Sequence, residues 1–373
     1  MGYTNEYAKD RAELKLVVLE SAKELGLKVE SHINKMRMQN KNLILDITES
    51  VFASGERKTV LNESIRGKDI YIICDIGNYG LTYNIRGNIN HCSPYDNYKA
   101  VKDVIGAISG SADRITVIMP LLIDSRQHRR EKREPLSCAQ YLQELVSIGV
   151  STIITFDVHD KGVKMAIPVN AFDSSSLSAP MLKRFIKEEQ DKIDFDDLIV
   201  ISPDQGAGPR TEKVSNQLGC PMGTFSKKRD LSKVVNGKNA IFSHEYMGPK
   251  LKNKNVLIVD DIISSGDSML DIAVTAKQKG ANKVYFMATF PLFTQGIDRF
   301  IKAKEEGLFE KVYTTNCTYI DPEYLKHDWI IPVDSSLVIA GLINHCNIDK
   351  SIGPIMNAQE RLVTKKAKVL SKK

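Results

Sequence analysis

The segment Val256-Leu257-Ile258-Val259-Asp260-Asp261 restricts the fold of this chain more than any other. Four aliphatic residues run directly into two acids, which a buried strand interior does not accept unpaired. The strand is therefore expected to end at Asp260. Small residues follow, Ser264-Ser265-Gly266-Asp267-Ser268, and Met269-Leu270-Asp271-Ile272-Ala273 then reads as the first turns of a helix. A strand, a tight turn and a helix N-terminus make an anion site, because unpaired N–H groups and the positive end of the helix dipole converge there. Ser264, Ser265 and Ser268 add hydroxyl donors, while Asp260 and Asp261 suit sugar hydroxyls or a cation. A ribose carrying a 5-phosphate satisfies both halves. An ordinary βα turn with a capping serine and solvated acids has the same local pattern, so the rest of the chain must decide.

Short β-rich runs alternate with amphipathic stretches over most of the chain. The runs are 43–47, 70–74, 115–119, 152–156, 198–201, 256–259, 284–288, 312–315 and 329–333, with helical patterns around 97–109, 137–148, 178–190, 209–218, 268–279 and 335–345. Such alternation predicts α/β architecture, with parallel sheets flanked by helices. So many strands favour two sheets, and 373 residues suffice for two cores. The joint is expected near 170–177. Ala8, Ala12, Leu16, Leu19 and Ala22 predict a further helix over 7–25 that stops at Gly26. Two long polar segments, 76–97 and 226–255, interrupt the alternation; the second precedes the anion turn, as a mobile lid would.

No apolar run approaches the roughly 18 residues of a membrane span, and the N-terminus lacks a signal-peptide layout. The net charge of +6 is concentrated in the tail 365–373 and two internal clusters, without the aromatic interleaving of a nucleic-acid surface. Cys74, Cys92, Cys138, Cys220, Cys317 and Cys346 are scattered, which points to reduced core thiols in a cytoplasmic protein.

Five further segments carry candidate chemistry. Phe52-Ala53-Ser54-Gly55-Glu56 could stack a purine and accept from its amine, or be a surface turn with a buried Phe. Asp124 to Ser137 holds five Lys or Arg residues between Arg126 and Arg133, just past a strand, and suits polyphosphate better than a solvated helix face. His159, past the strand end in Asp157-Val158-His159-Asp160, and Asp204, in Ser202-Pro203-Asp204-Gln205-Gly206, are metal candidates, although a lone His near a turn is more often structural. Lys227 and Arg229, in Ser226-Lys227-Lys228-Arg229-Asp230, could close on a transferring phosphoryl group or belong to an exposed basic loop.

In this order, from about residue 43 to 345, these segments resemble the ribose-phosphate pyrophosphokinase family. Phe52 to Glu56 is similar to its adenine-contacting FxxGE segment, Arg66-Gly67-Lys68-Asp69 to its RGKD and Arg126-Gln127 to its ATP-binding RQ. Asp157 and His159 match its DxH motif, Ile167-Pro168-Val169-Asn170 its IPVDN, and Asp204 its SPDxG. Lys227 and Arg229 fall on its flexible-loop catalytic pair. Asp260, Asp261 and 264–268 fall on its ribose-5-phosphate loop. Departures include Ser54 for Asn or Asp, His128 for the acid after RQ, Ser-Ser-Gly-Asp-Ser for the usual phosphate loop, and Phe290-Pro291 for His-Gly. Asp267 places an extra negative charge near a phosphate, which is unfavourable unless its side chain turns away.

The resemblance implies two similar type I phosphoribosyltransferase-like domains. An ATP-side domain at 1–172 would be completed by a C-terminal helix from about 337–373, and a ribose-5-phosphate domain would span 173–336. It implies transfer of the diphosphoryl group of Mg-ATP to the 1-hydroxyl of ribose 5-phosphate, giving phosphoribosyl pyrophosphate and AMP. Phe52, Ser54, Glu56, Arg126 and Gln127 would bind ATP. Asp204, Asp260, Asp261, Ser264, Ser265, Gly266, Asp267 and Ser268 would bind ribose 5-phosphate; His159 and Asp204 would position Mg2+. Lys227 and Arg229 would act catalytically. A homo-oligomer of dimers assembled into a hexamer is expected from the resemblance, without nucleic acid or membrane partners. A catalytically weak or regulatory homologue and a phosphoribosyltransferase remain the rivals.

Overall fold

The computed structural model describes residues 11–108, 110–235 and 238–370, apart from the side chains of 227–244 and 368. These residues divide into two units. One holds the chain up to Ser176 together with 316–320 and 334–357, and the other holds 177–315, 321–333 and the residues from 358.

The first unit is built on a five-stranded parallel sheet, in the order Leu14–Val18, Asp69–Ile73, Arg114–Ile118, Thr152–Phe156, Phe172–Ser175. Its central strands are almost uninterruptedly apolar, as strands buried on both faces must be. The helix expected over 7–25 is not formed; residues 7–10 lie outside the described ones. Leu14–Val18 is instead a buried strand in register with Asp69–Ile73, and the helix runs Lys23–Met36. So short an apolar run fits either period, and pairing with a neighbouring strand decides it. Nor does Gly26 stop the helix. It lets the helix press on the sheet, since a Cβ there would lie 2.3 Å from Val18 Cγ1.

Residues 43–47, expected as a strand, supply one bridge, Leu16 to Ile44, and then enter an antiparallel hairpin of Ile47–Val51 with Arg57–Leu61. Within the polar segment 76–97, Thr82–Ile85 pairs with Asn88–His91 in a second small hairpin. At the N-terminal edge of the sheet, fully buried Asp69 binds Arg114 through both oxygens, at 2.9 and 2.6 Å. It also accepts from Tyr71 Oη and Asn347 Nδ2, each at 2.9 Å, which fastens the helix Ser336–Asn347 to this unit.

The second unit is built on a seven-stranded sheet, in the order Lys238–Met247, Met222–Val235, Leu198–Ser202, Asn255–Ile263, Val284–Pro291, Val312–Thr315, Ile330–Val333. The first two strands are antiparallel and the rest parallel. The segment 226–255, expected as a lid, therefore lies largely in a long hairpin continuous with the sheet. The boundary expected at 172/173 falls inside an edge strand, and the units part between Ser176 and Leu177. The helix expected from 337 is in fact two. Ser336–Asn347 stays with the first unit, whereas Val363 and Ala367 of Gly353–Leu370 pack among Phe185, Leu198 and Tyr313 of the second. No helix of the described residues is long and apolar enough to cross a membrane.

Candidate functional site

In the second unit the strand does not end at Asp260. It runs Asn255–Ile263, pairing Asp260 with Ala288, Ile262 with Phe290 and Ile263 with Pro291. The two acids stay within it because Arg210, near the start of the helix Gly208–Leu218, reaches both. Its Nη1 lies 3.4 Å from Asp260 Oδ1 and its Nη2 3.4 Å from Asp261 Oδ2. The side chains of Asp261 and Asp260 are 3% and 22% exposed. Burial, and then the charge of Asp261, push the Asp260 carboxyl above the ordinary range. Sequence reasoning missed Arg210, although a cation early in the helix after a neighbouring strand is the signal that could have found it.

Past Ile263 the backbone turns sharply. Thr294 N donates to Ser264 O at 2.9 Å, and Ser264 Oγ lies 3.4 Å from Thr294 Oγ1. Gly266 has φ +82°, and a Cβ there would meet Phe300 Cζ at 2.2 Å, so glycine is required twice over. The helix Asp267–Gln278 begins immediately, with Ser268 in its first turn. The Asp267 carboxylate accepts from Ser265 Oγ at 2.9 Å and pairs with Arg299 of the helix Asp298–Glu305. Asp204 leaves the adjacent parallel strand at the same sheet edge; its Oδ1 accepts from Ala207 N at 3.1 Å. The acids, the anion turn and Asp204 thus share one edge, the C-terminal one, where open α/β sheets bind ligands.

In the first unit the corresponding edge carries Asp75, Asp124, Arg126, Gln127, Asp157 and His159, each following the end of a parallel strand. Asp124 and Asp157 adopt φ of +48° and +40°, unusual for non-glycine residues and concentrated at functional turns. Residues 126–136 form an irregular loop with both Arg126 and Gln127 exposed, and Gln127 N donates to Asp124 O at 2.8 Å. His159 lies beside His128, with ring centroids 5.4 Å apart. Phe52, Ser54 and Glu56 sit elsewhere, at the tip of the Ile47–Leu61 hairpin. There the Phe52 ring is half exposed rather than buried, and Ser54 Oγ donates to Glu56 Oε2 at 2.8 Å.

Lys227 and Arg229 stand on the strand Met222–Val235, opposite His244 and Ile241, with a register shift between Lys228 and Arg229. Their side chains lie outside the described residues. Among the described residues, no three His, Cys, Asp or Glu side chains gather as a metal cage. A magnesium ion is commonly held by one or two protein groups, with waters and substrate phosphates completing its shell; each unit carries one candidate of that kind, His159 on the first and Asp204 on the second.

Residues 14–149 match the N-terminal domain of ribose phosphate pyrophosphokinase, and residues 170–307 match the phosphoribosyl transferase domain. The ribose-phosphate pyrophosphokinase of Mycoplasma pneumoniae is 29% identical over 276 residues, 72% of this chain and 75% of that one. That of Thermosipho africanus is 27% identical over 309 residues, 82% and 86%. In fold, the chain is similar to phosphoribosylpyrophosphate synthetase from Mycobacterium smegmatis, with a TM-score of 0.74 at 20% identity over 90% of this chain and 98% of that one. With both domain types present in order and relatives aligned along most of its length, this chain belongs to the ribose-phosphate pyrophosphokinase family.

Proposed function

We propose that the protein transfers the diphosphoryl group of ATP to the 1-hydroxyl of ribose 5-phosphate, forming phosphoribosyl pyrophosphate and AMP in the cytoplasm. The observation that carries this reading is the edge of the second unit, where a buried acid pair held by Arg210 adjoins a glycine turn and a helix N-terminus. Asp260 and Asp261 accept from the ribose 2- and 3-hydroxyls. Backbone N–H groups of 264–268, with the hydroxyls of Ser264, Ser265 and Ser268, take the 5-phosphate. Asp267 is no obstacle, since Arg299 and Ser265 occupy its carboxylate.

On the first unit, Arg126 and Gln127 hold the polyphosphate while Phe52, Ser54 and Glu56 receive the adenine. His159 on the first unit and Asp204 on the second are each magnesium ligands, and the ion supplies charge neutralisation of the polyphosphate when bound. Lys227 and Arg229 stabilise the charge that spreads over the transferring group. Little covalent chemistry falls to the chain, so positioning and electrostatics dominate. A homo-oligomer built from dimers accompanies this reading.

The test is formation of AMP from ATP and ribose 5-phosphate with magnesium. A regulatory homologue leaves both reactants unconverted. A phosphoribosyltransferase consumes phosphoribosyl pyrophosphate with a base instead.

A further inference from the structure

His128 directly follows the Arg126-Gln127 pair, and its surroundings give it chemical meaning. Its side chain is only 10% exposed, and its ring is tilted 58° to that of His159 at 5.4 Å between centroids. His128 Nδ1 is buried without a hydrogen-bond partner. The other ring nitrogen, Nε2, has two neighbours. Arg129 Nε lies 3.0 Å away and Asp160 Oδ2 3.4 Å away, while Asp160 Oδ1 is anchored by Gly162 N at 2.6 Å.

A neutral imidazole cannot serve both neighbours at once. When Nε2 accepts from Arg129, the proton sits on Nδ1, buried with no acceptor. When Nε2–H donates to Asp160, the buried Nδ1 carries an unshared lone pair. The second arrangement is that of metal-ligating histidines, whose outer nitrogen is oriented by a carboxylate.

The ring spacing agrees. Two imidazoles on one tetrahedral ion, with metal–nitrogen bonds of about 2.0–2.1 Å, place their centroids roughly 5 Å apart. Imidazole donors favour zinc, cobalt and nickel ions over magnesium, which prefers oxygen. We infer that His128 and His159, with Asp160 orienting the former, form a bis-imidazole site for a divalent transition-metal ion beside the Arg126-Gln127 loop. The inference goes beyond the proposed reading, since it gives His159 a second class of ion that competes there with magnesium, and it rests on that reading only for the ion's use.

The test is titration of chelator-treated full-length protein with Co2+, followed by visible absorption, in the presence and absence of excess Mg2+. One equivalent is expected to bind saturably and to survive the magnesium. His128→Asn and His159→Asn should each weaken Co2+ binding at least tenfold, and His128→Asp should weaken Co2+ while strengthening Mg2+. Equal Co2+ affinity in the wild type and His128→Asn overturns the inference. So does binding accompanied only by a thiolate charge-transfer band, which would place the ion at cysteine. Should the variants fold poorly, histidine NMR of the wild-type protein decides: Co2+ must perturb two imidazole spin systems together, and perturbation of one or none refutes the pairing. Absence of AMP formation beside intact Co2+ binding would sink the proposed reaction and leave the site standing.

Discussion

Replacing Arg210 with methionine keeps the packing of the side-chain stem but withdraws the cation that two adjacent carboxylates share. At 3.4 Å to each acid, the attraction is about 5 kcal/mol per contact at an effective dielectric near 20, before desolvation is set against it. Removing one partner of a buried ion pair costs about 3–5 kcal/mol, because the remaining charge is left uncompensated. Here the cost is limited from one side. Asp260 keeps some exposure, and its raised pKa lets it take a proton and relieve the pair. The expected loss is therefore about 3 kcal/mol, the lower end of that range. For a unit of this size, 3 kcal/mol lowers the melting temperature by roughly 6–12 °C. Differential scanning calorimetry reads this directly, and Asp260→Asn in the Arg210→Met background should recover at least half of the loss. A variant melting within a degree or two of wild type at pH 8, or one that Asp260→Asn destabilises further, would refute the account of how these acids are kept in the strand.

Other outcomes follow from the same geometry. Lys227→Ala should lower the rate of AMP formation by orders of magnitude while changing ribose 5-phosphate affinity little, as steady-state kinetics would show; a wild-type-like rate removes Lys227 from catalysis. Gly266→Ala forces a side chain into a left-handed turn and into the Phe300 ring, so a loss of about 2–4 kcal/mol is expected, with a raised KM for ribose 5-phosphate. Asp75 is buried where Thr318 Oγ1, Tyr319 N and Gly77 N donate to it, yet burial still pushes its carboxyl up to about 7. A folded pKa above the unfolded value of about 3.9 gives stability that is full below that value and lost as pH rises through about 7. Asp75→Asn should flatten that decline in denaturation curves between pH 4 and 8.

The legible parts of the chain were those where periodicity and neighbouring polarity agree. The strands at 70–74, 152–156 and 312–315 and the helices at 137–148 and 178–190 lie within a residue or so of their observed bounds, because buried parallel strands and amphipathic helices leave continuous patterns. The helix misplaced over 7–25 shows the limit. Leu16, Val17 and Leu19 satisfy either period, and only pairing with Asp69–Ile73 tells which is adopted. Likewise, Phe172–Ser175 carries two serines and an acid and reads as a linker, but backbone pairing with Thr152–Phe156 makes it an edge strand. Hydrogen bonds between strands far apart in sequence leave no local trace.

A similar asymmetry governs the candidate site. Acids and glycines announce themselves by type, whereas the residues that make them tolerable come from elsewhere in the chain. Asp260 and Asp261 looked incompatible with a strand interior, and 50 residues upstream of Asp260 lies the arginine that admits them. Asp267 looked incompatible with a phosphate turn, and Arg299, on a helix that the apolar pattern did not reveal, takes its carboxylate. In both cases an arginine from another helix answers a negative charge in or beside the ligand loop. With Arg299 in place, the negative charge of Asp267 is answered within the protein and is not left to oppose an anion at residues 264–268. A departure from a family's loop is thus best judged together with the side chain that meets it. Asp267 read alone argues against phosphate binding, and Asp267 read with Arg299 does not.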